Sequence, residues 1–279
     1  MELLLGTAQL LGNYGRFQKP TSSGDACAIL NAAASAGFTG LDTAPAYGGV
    51  EQAIGACGWQ SQVHTKVETN LDPEVSLKRS LVALRSKSVE VLYFHDPEVV
   101  NRESSFFRDV RDRIPSGMAT SLGVSIYSPA ELEAALEIPE IGSVQIPLNI
   151  ADGRFSDDLL LRASERNVKV YARSIFLQGA LLQAARDLPA HLAPLRKFNE
   201  ALQRLALEGG LSLAELCIAW VKARPGISGL VMGAETPQQV RELRRAFRSR
   251  FLTDYEIESV GSLQLEDPAI LDPRSWATA

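Results

Sequence analysis

Leu3-Leu4-Leu5-Gly6-Thr7-Ala8-Gln9-Leu10-Leu11-Gly12-Asn13-Tyr14-Gly15 opens the first apolar run of the chain and the loop behind it, and it separates two architectures. A doubly wound open sheet that binds a dinucleotide places a GxGxxG turn directly after its first strand. This stretch does not fit that pattern. Seven more short apolar runs follow. They are Thr39 to Leu41, Gln62 to Thr65, Val89 to Phe94, Ser121 to Val124, Ser143 to Ile146, Val168 to Tyr171 and Ser228 to Val231.

Amphipathic helical patterns lie between these runs. Ala26 to Ala36 and Pro73 to Leu84 carry apolar residues at helical spacing, the second with Asp72 as N-cap and Pro73 at its first turn. Ser128 with Glu131 and Thr253 with Glu256 have capping-box spacing. Phe198 to Leu207, Leu213 to Ala223 and Gln238 to Phe247 complete the set. Alternating strands and helices predict an α/β fold, a single (β/α)8 TIM barrel spanning 1–279, with a C-terminal helix and a tail.

The chain has 279 residues, a net charge of −5 and 46% hydrophobic content. That balance gives no reason to expect nucleic acid or a membrane as partner. The arginines from Arg241 to Arg250 read as the solvated face of a late helix. Cys27, Cys57 and Cys217 are far apart and odd in number, which argues against a disulfide framework and a zinc site. Cys27 and Cys217 read as small core residues. Without a basic leader or a long apolar run, the expected location is the cytoplasm. Oligomeric state is left open.

The C-terminal strand ends of a parallel barrel form its active rim. Asp42 ends the second strand and leads into Thr43-Ala44-Pro45-Ala46-Tyr47-Gly48; Lys66 ends the third, and His95 the fourth. These groups suit carbonyl reduction. A tyrosine can give the proton, but with an ordinary pKa near ~10 it holds that proton too firmly. A neighbouring ammonium favours the phenolate, and Lys66 is placed to supply it. Asp42 would hold Lys66 charged, and His95 would donate to the developing alkoxide. Hydride must come from a cofactor.

Asp42 to Gly48, Glu51 and Gly55, His64-Thr65-Lys66 and Leu92-Tyr93-Phe94-His95 together resemble the aldo-keto reductases. The resemblance runs from Gly6 to about Leu243. It implies NAD(P)-dependent transfer of hydride to or from a small aldehyde, ketone or sugar. It also implies a catalytic tetrad of Asp42, Tyr47, Lys66 and His95. Further cofactor contacts carry over to Gly6, Thr7, Ala8, Asp42, Ser125, Gln145, Arg173, Ser174, Gly233, Ala234, Glu235 and Gln239. Ile126 stands where the family usually has Asn, and Arg173 where many members have an aromatic that stacks on nicotinamide. The Arg173 version is similar to a bacterial branch found among sugar and surface-polysaccharide genes. Gly233 and Gln239 occupy places where NADP-preferring members carry Lys and Arg, and Glu235 adds an acidic group, so the choice between NADP and NAD stays open.

Tyr47, His95, Tyr14 and Trp276 are the substrate-side candidates, with Tyr127 as a further wall residue. The tail from Leu271 to Trp276 either folds over the barrel mouth or packs Trp276 on its flank. Two other classes remain. One is a cofactor-binding redox sensor or regulatory subunit with little turnover. The other is a metal-dependent barrel lyase or hydrolase, which needs converging metal ligands on the rim.

Overall fold

The computed structural model describes residues 1–11, 23–68, 70–102 and 105–276, with backbone alone for Ser23 and Gly24. Eight parallel strands close into a barrel in the order β1-β2-β3-β4-β5-β6-β7-β8. They are β1 (Glu2–Gly6), β2 (Gly40–Asp42), β3 (Gln62–Lys66), β4 (Val89–Phe94), β5 (Ala119–Ser125), β6 (Ile141–Pro147), β7 (Lys169–Arg173) and β8 (Ile227–Gly233). Closure is made where Leu4 pairs with Val231 and Gly6 with Gly233. The strands are therefore apolar on both faces, as a covered parallel sheet requires.

Outward residues such as Leu3, Leu5, Leu41, Leu92, Val144 and Leu230 join the helices in one large core. Inward residues Leu4, Val91, Tyr93, Tyr171 and Val231 form a second, smaller one. Two tyrosines need space there. Glycine supplies it: a Cβ on Gly123 would stand 2.6 Å from the Tyr93 ring, and one on Gly229 2.8 Å from the Tyr171 ring. His64 fills the same layer. Its ring meets Tyr171 edge-on at 4.8 Å and Tyr93 at 5.9 Å between centroids. Beneath it the Tyr171 hydroxyl donates to Glu2.

The helices between strands are α1 (Ser23–Ala36), α2 (Val50–Cys57), α3 (Pro73–Leu84), α4 (Ser105–Arg113), α5 (Pro129–Leu136) and α6 (Asp157–Glu165). After β7 come α7 (Ala193–Glu208) and α8 (Leu213–Ala223), and after β8 come α9 (Pro237–Phe247), α10 (Asp254–Gly261) and α11 (Pro268–Leu271). The Asp72, Ser128 and Thr253 caps all form, the last two as complete capping boxes. Past α10 the described tail forms two short capped elements. Asp267 caps α11, and Asp272 caps a 3-10 turn over Pro273–Ser275.

The cysteine expectation is corrected. Cys27 and Cys57 form a disulfide with their Cα atoms 5.4 Å apart, and only Cys217 is free. Their separation of 30 residues spans one strand-and-helix repeat, and α1 lies against α2 on the outside of the barrel. The spacing hid the pair because the chain leaves α1 through β2 and returns one helix further round.

Candidate active site

Strand alternation decides which side chains reach the rim. On β2 and β3, Asp42 pairs with His64, and Lys66 lies two residues beyond, so Asp42 and Lys66 both face inward at the C-terminal mouth. Lys66 Nζ donates to both carboxylate oxygens of Asp42 at 2.8 and 2.9 Å, and to the Thr43 carbonyl at 3.0 Å. It also lies 5.3 Å from the centroid of the Tyr47 ring. Burial by itself would lower the Lys66 pKa. Asp42 and Tyr47 overcome this and raise it above the ordinary lysine value. Lys66 is thus a buried, fully charged ammonium.

Tyr47 ends a short 3-10 turn, Pro45–Tyr47, and is half-buried. His95 follows the last residue of β4 and is also half-buried. Burial pushes its imidazole below the ordinary value; Lys66 and Arg173 add to this, against Asp42 and Asp96. His95 is therefore neutral at pH 7, and one ring nitrogen carries a proton it can donate. Asp96 itself caps the following turn by accepting the Glu98 N–H.

A cleft of about 450 Å³ opens beside Asp42 and Tyr47, while Lys66 and His95 are not part of its lining. Its lining includes Gly6, Thr7, Ala8, Asp42, Tyr47, Arg173, Ser174, Gly233, Glu235 and Gln239, all named from the sequence. The β1 loop is pinned to the rim, because Thr7 donates its N–H and its hydroxyl to the Asp42 carbonyl. Gln145 stands behind the lining. Its amide nitrogen donates to Asp42, while its buried Oε1 has no protein partner among the described residues. Ser125 is its register partner on β5. Among the described residues no cluster of three or more His, Cys, Asp or Glu is arranged to hold a metal.

The sequence pattern of the Aldo/keto reductase family matches residues 2–264. The chain belongs to that family.

The aldo/keto reductase chain is an NAD(P)H-dependent oxidoreductase by this membership and by the oxidoreductases it resembles. It is 22% identical to the uncharacterized oxidoreductase YqkF of Bacillus subtilis, covering 88% of this chain and 90% of that protein. It is 26% identical to a probable voltage-gated potassium channel subunit beta of Oryza sativa subsp. japonica, over 80% of this chain and 81% of that one. In fold it is similar to the aldo-keto reductase AKR11C1 from Bacillus halodurans in its holo form. The TM-score is 0.76 at 22% identity, over 99% of this chain and 95% of that one. The glycerol dehydrogenase AKR11B4 from Gluconobacter oxydans aligns with a TM-score of 0.73 at 22% identity, over 97% and 92%.

Several expectations meet a different placement in this aldo/keto reductase. Trp276 lines neither the cleft nor the chamber beside it. Its indole N–H is bound to the Ile270 carbonyl and its ring faces His191, so the ring packs inward on the tail. The tail residues before it, Leu271 to Arg274, line the small side chamber instead. Tyr14 lies outside the described residues. Ala234 is buried between Gly233 and Glu235 without lining the cleft. The α9 N-terminus is largely self-capped. Gln239 Oε1 accepts the Glu235 N–H, and Thr236 accepts the Gln239 N–H. Gln9, Gln178 and Glu242 line the cleft unannounced by the sequence. No local pattern marks them, since loop and helix side chains acquire their direction from packing.

Proposed function

We propose that this protein transfers hydride between NAD and the carbonyl or alcohol carbon of a small aldehyde, ketone or sugar, with Tyr47 as general acid. The observation that carries the reading is the buried Asp42–Lys66 ion pair with its ammonium 5.3 Å from the centroid of the Tyr47 ring. A permanent ammonium beside a phenol favours the phenolate, so the hydroxyl yields its proton more readily to a developing alkoxide. Asp42 keeps Lys66 charged and in place; breaking such a buried pair costs about 3–5 kcal/mol. His95, neutral and on the same rim, donates to the carbonyl oxygen as charge builds on it.

The residues present fit a nicotinamide cofactor. The unpartnered Gln145 Oε1 is an acceptor suited to a carboxamide N–H, and Ser125 lies next to it. The bound cofactor supplies the hydride. A cleft running from Tyr47 and Asp42 to Glu235, Gln239 and Glu242 gives a dinucleotide one end at the reacting groups and the other at the start of α9. That far end favours NAD over NADP. Glu235 and Glu242 line it, and burial pushes the Glu235 carboxyl above its ordinary value. Arg244 faces away, its guanidinium 5.6 Å from the Phe247 ring. Carboxylates accept ribose hydroxyls and repel a phosphate.

The test is turnover of a panel of small aldehydes and ketones with NADH and NADPH, followed by loss of dihydronicotinamide absorbance. Tyr47→Phe should lower kcat by about 10²–10⁴-fold and leave cofactor affinity, read by fluorescence, within a few-fold. A protein that binds cofactor and turns over nothing would instead be the regulatory subunit.

A further inference from the structure

Arg173 ends β7 and faces the rim, and among the described residues it is the only cation in the lining of the cleft. It also lines the side chamber, together with Ser174 and Gln178, so the two spaces adjoin through it. That chamber, of about 40 Å³, is walled by Tyr127, Pro147, Arg154, Leu271, Asp272 and Arg274. Guanidiniums crowd Tyr127: Arg274 lies 3.3 Å and Arg173 4.4 Å from its ring centroid.

The arginines differ in one respect. Arg154 is held bidentately by Asp152, and Arg274 by Asp272. Glu131, close enough to act on both, spends its carboxylate on the N–H groups of Tyr127 and Ser128. Arg173 forms no ion pair with a described carboxylate within 4.0 Å. One Arg173 terminal nitrogen donates to the Ile126 carbonyl at 3.1 Å. The other reaches only Ser174 Oγ at 3.5 Å, and Nε has no partner among the described residues. At the mouth Asp42 already neutralises Lys66, so the charge of Arg173 is uncompensated there.

A half-buried guanidinium with unused donors is an incomplete anion site. Its planar fork matches a carboxylate, and a chamber of this size accepts a group of a few atoms. We infer that Arg173, at the junction of cleft and side chamber, binds a carboxylate on the substrate, so that the physiological substrate is an oxo acid or its hydroxy-acid product. This rests on the proposed hydride transfer and specifies its substrate class.

The experiment compares two aldehydes of matched shape, 4-oxobutanoate and 4-methylpentanal, with NADH. Calorimetric titration of butanoate into the protein saturated with NADH runs beside it. The expected kcat/KM ratio in favour of 4-oxobutanoate is about tenfold or more, as a charge-assisted contact gives. It should fall towards one in Arg173→Gln and be partly kept in Arg173→Lys, with butanoate affinity changing in the same order. A ratio near one in the wild type, with no butanoate binding, overturns the subsite while hydride transfer stands. A ratio unchanged in Arg173→Gln while cofactor affinity collapses also overturns it, and assigns the guanidinium to the cofactor's diphosphate. Butanoate binding through Arg173 without turnover of either aldehyde keeps the subsite and removes the enzymatic reading.

Discussion

His64 shows how one side chain can couple the barrel interior to pH. It is fully buried between Tyr93 and Tyr171, and neither ring nitrogen has a hydrogen-bond partner among the described residues. Burial lowers its pKa from 6.5 to about 4. The unfolded chain therefore takes up a proton that the folded barrel refuses. Stability should be complete above pH 6.5 and fall as pH drops towards 4, by about 2 kcal/mol between pH 7 and 5 from this residue. His64→Phe keeps an aromatic ring of similar size and removes the titration. Urea unfolding at the two pH values should show that part of the acid sensitivity gone, with no loss at pH 7. An identical acid slope in the variant would exclude His64 as its source. Sequence assigned His64 no such role, because its neighbours come from β4 and β7, far along the chain.

Pairs of neighbouring elements carry two further expectations. The α1–α2 disulfide closes a separation of 30 residues around β2 and the Tyr47 turn. Losing it should cost about 3.6 kcal/mol in the chain-entropy account. Thermal melts with and without reductant should differ in the wild type, and Cys27→Ser should match the reduced protein and ignore reductant. A wild-type melt insensitive to a reductant that frees both thiols would deny the bond any stabilising part. At the junction of β8 and α9, Glu235→Arg replaces a repelling carboxylate with a phosphate-binding fork. The ratio of NADPH to NADH affinity should rise about tenfold, ~1.4 kcal/mol. Fluorescence titrations giving the wild-type ratio would place the discriminating contact elsewhere. Helix starts were well marked in the sequence, since capping is local: Asp72, Ser128 and Thr253 each cap within three residues of themselves. The apolar runs stop short of the strand ends at β7 and β8, where the last residues, Arg173 and Gly233, are rim groups and not apolar wall.

Across the barrel, two cores must fit at once, the outer one under the helices and the inner one around the tyrosines. Gly123→Ala tests the inner fit, because the added methyl meets the Tyr93 ring at 2.6 Å and the Ser143 carbonyl at 2.7 Å. Overpacking of this kind costs about 1–3 kcal/mol. Combining it with Tyr93→Leu should give less than the sum of the single effects, since both act on one contact. Strict additivity in urea unfolding would show that the two sites do not share it. The alternation of apolar runs with helices, and the residue types at strand ends, were sufficient for the barrel and for bringing Asp42 and Lys66 together beside Tyr47 at its mouth. A strand sends alternate side chains to one face, so inward direction at the rim follows from local order alone. Packing between distant segments decided the rest: the Cys27–Cys57 bond, the inward turn of Trp276, the cleft positions of Gln9, Gln178 and Glu242, and the unpaired charge of Arg173. Those depend on which helix lies beside which and how far each loop reaches, and ring closure fixes both through contacts that no local pattern encodes.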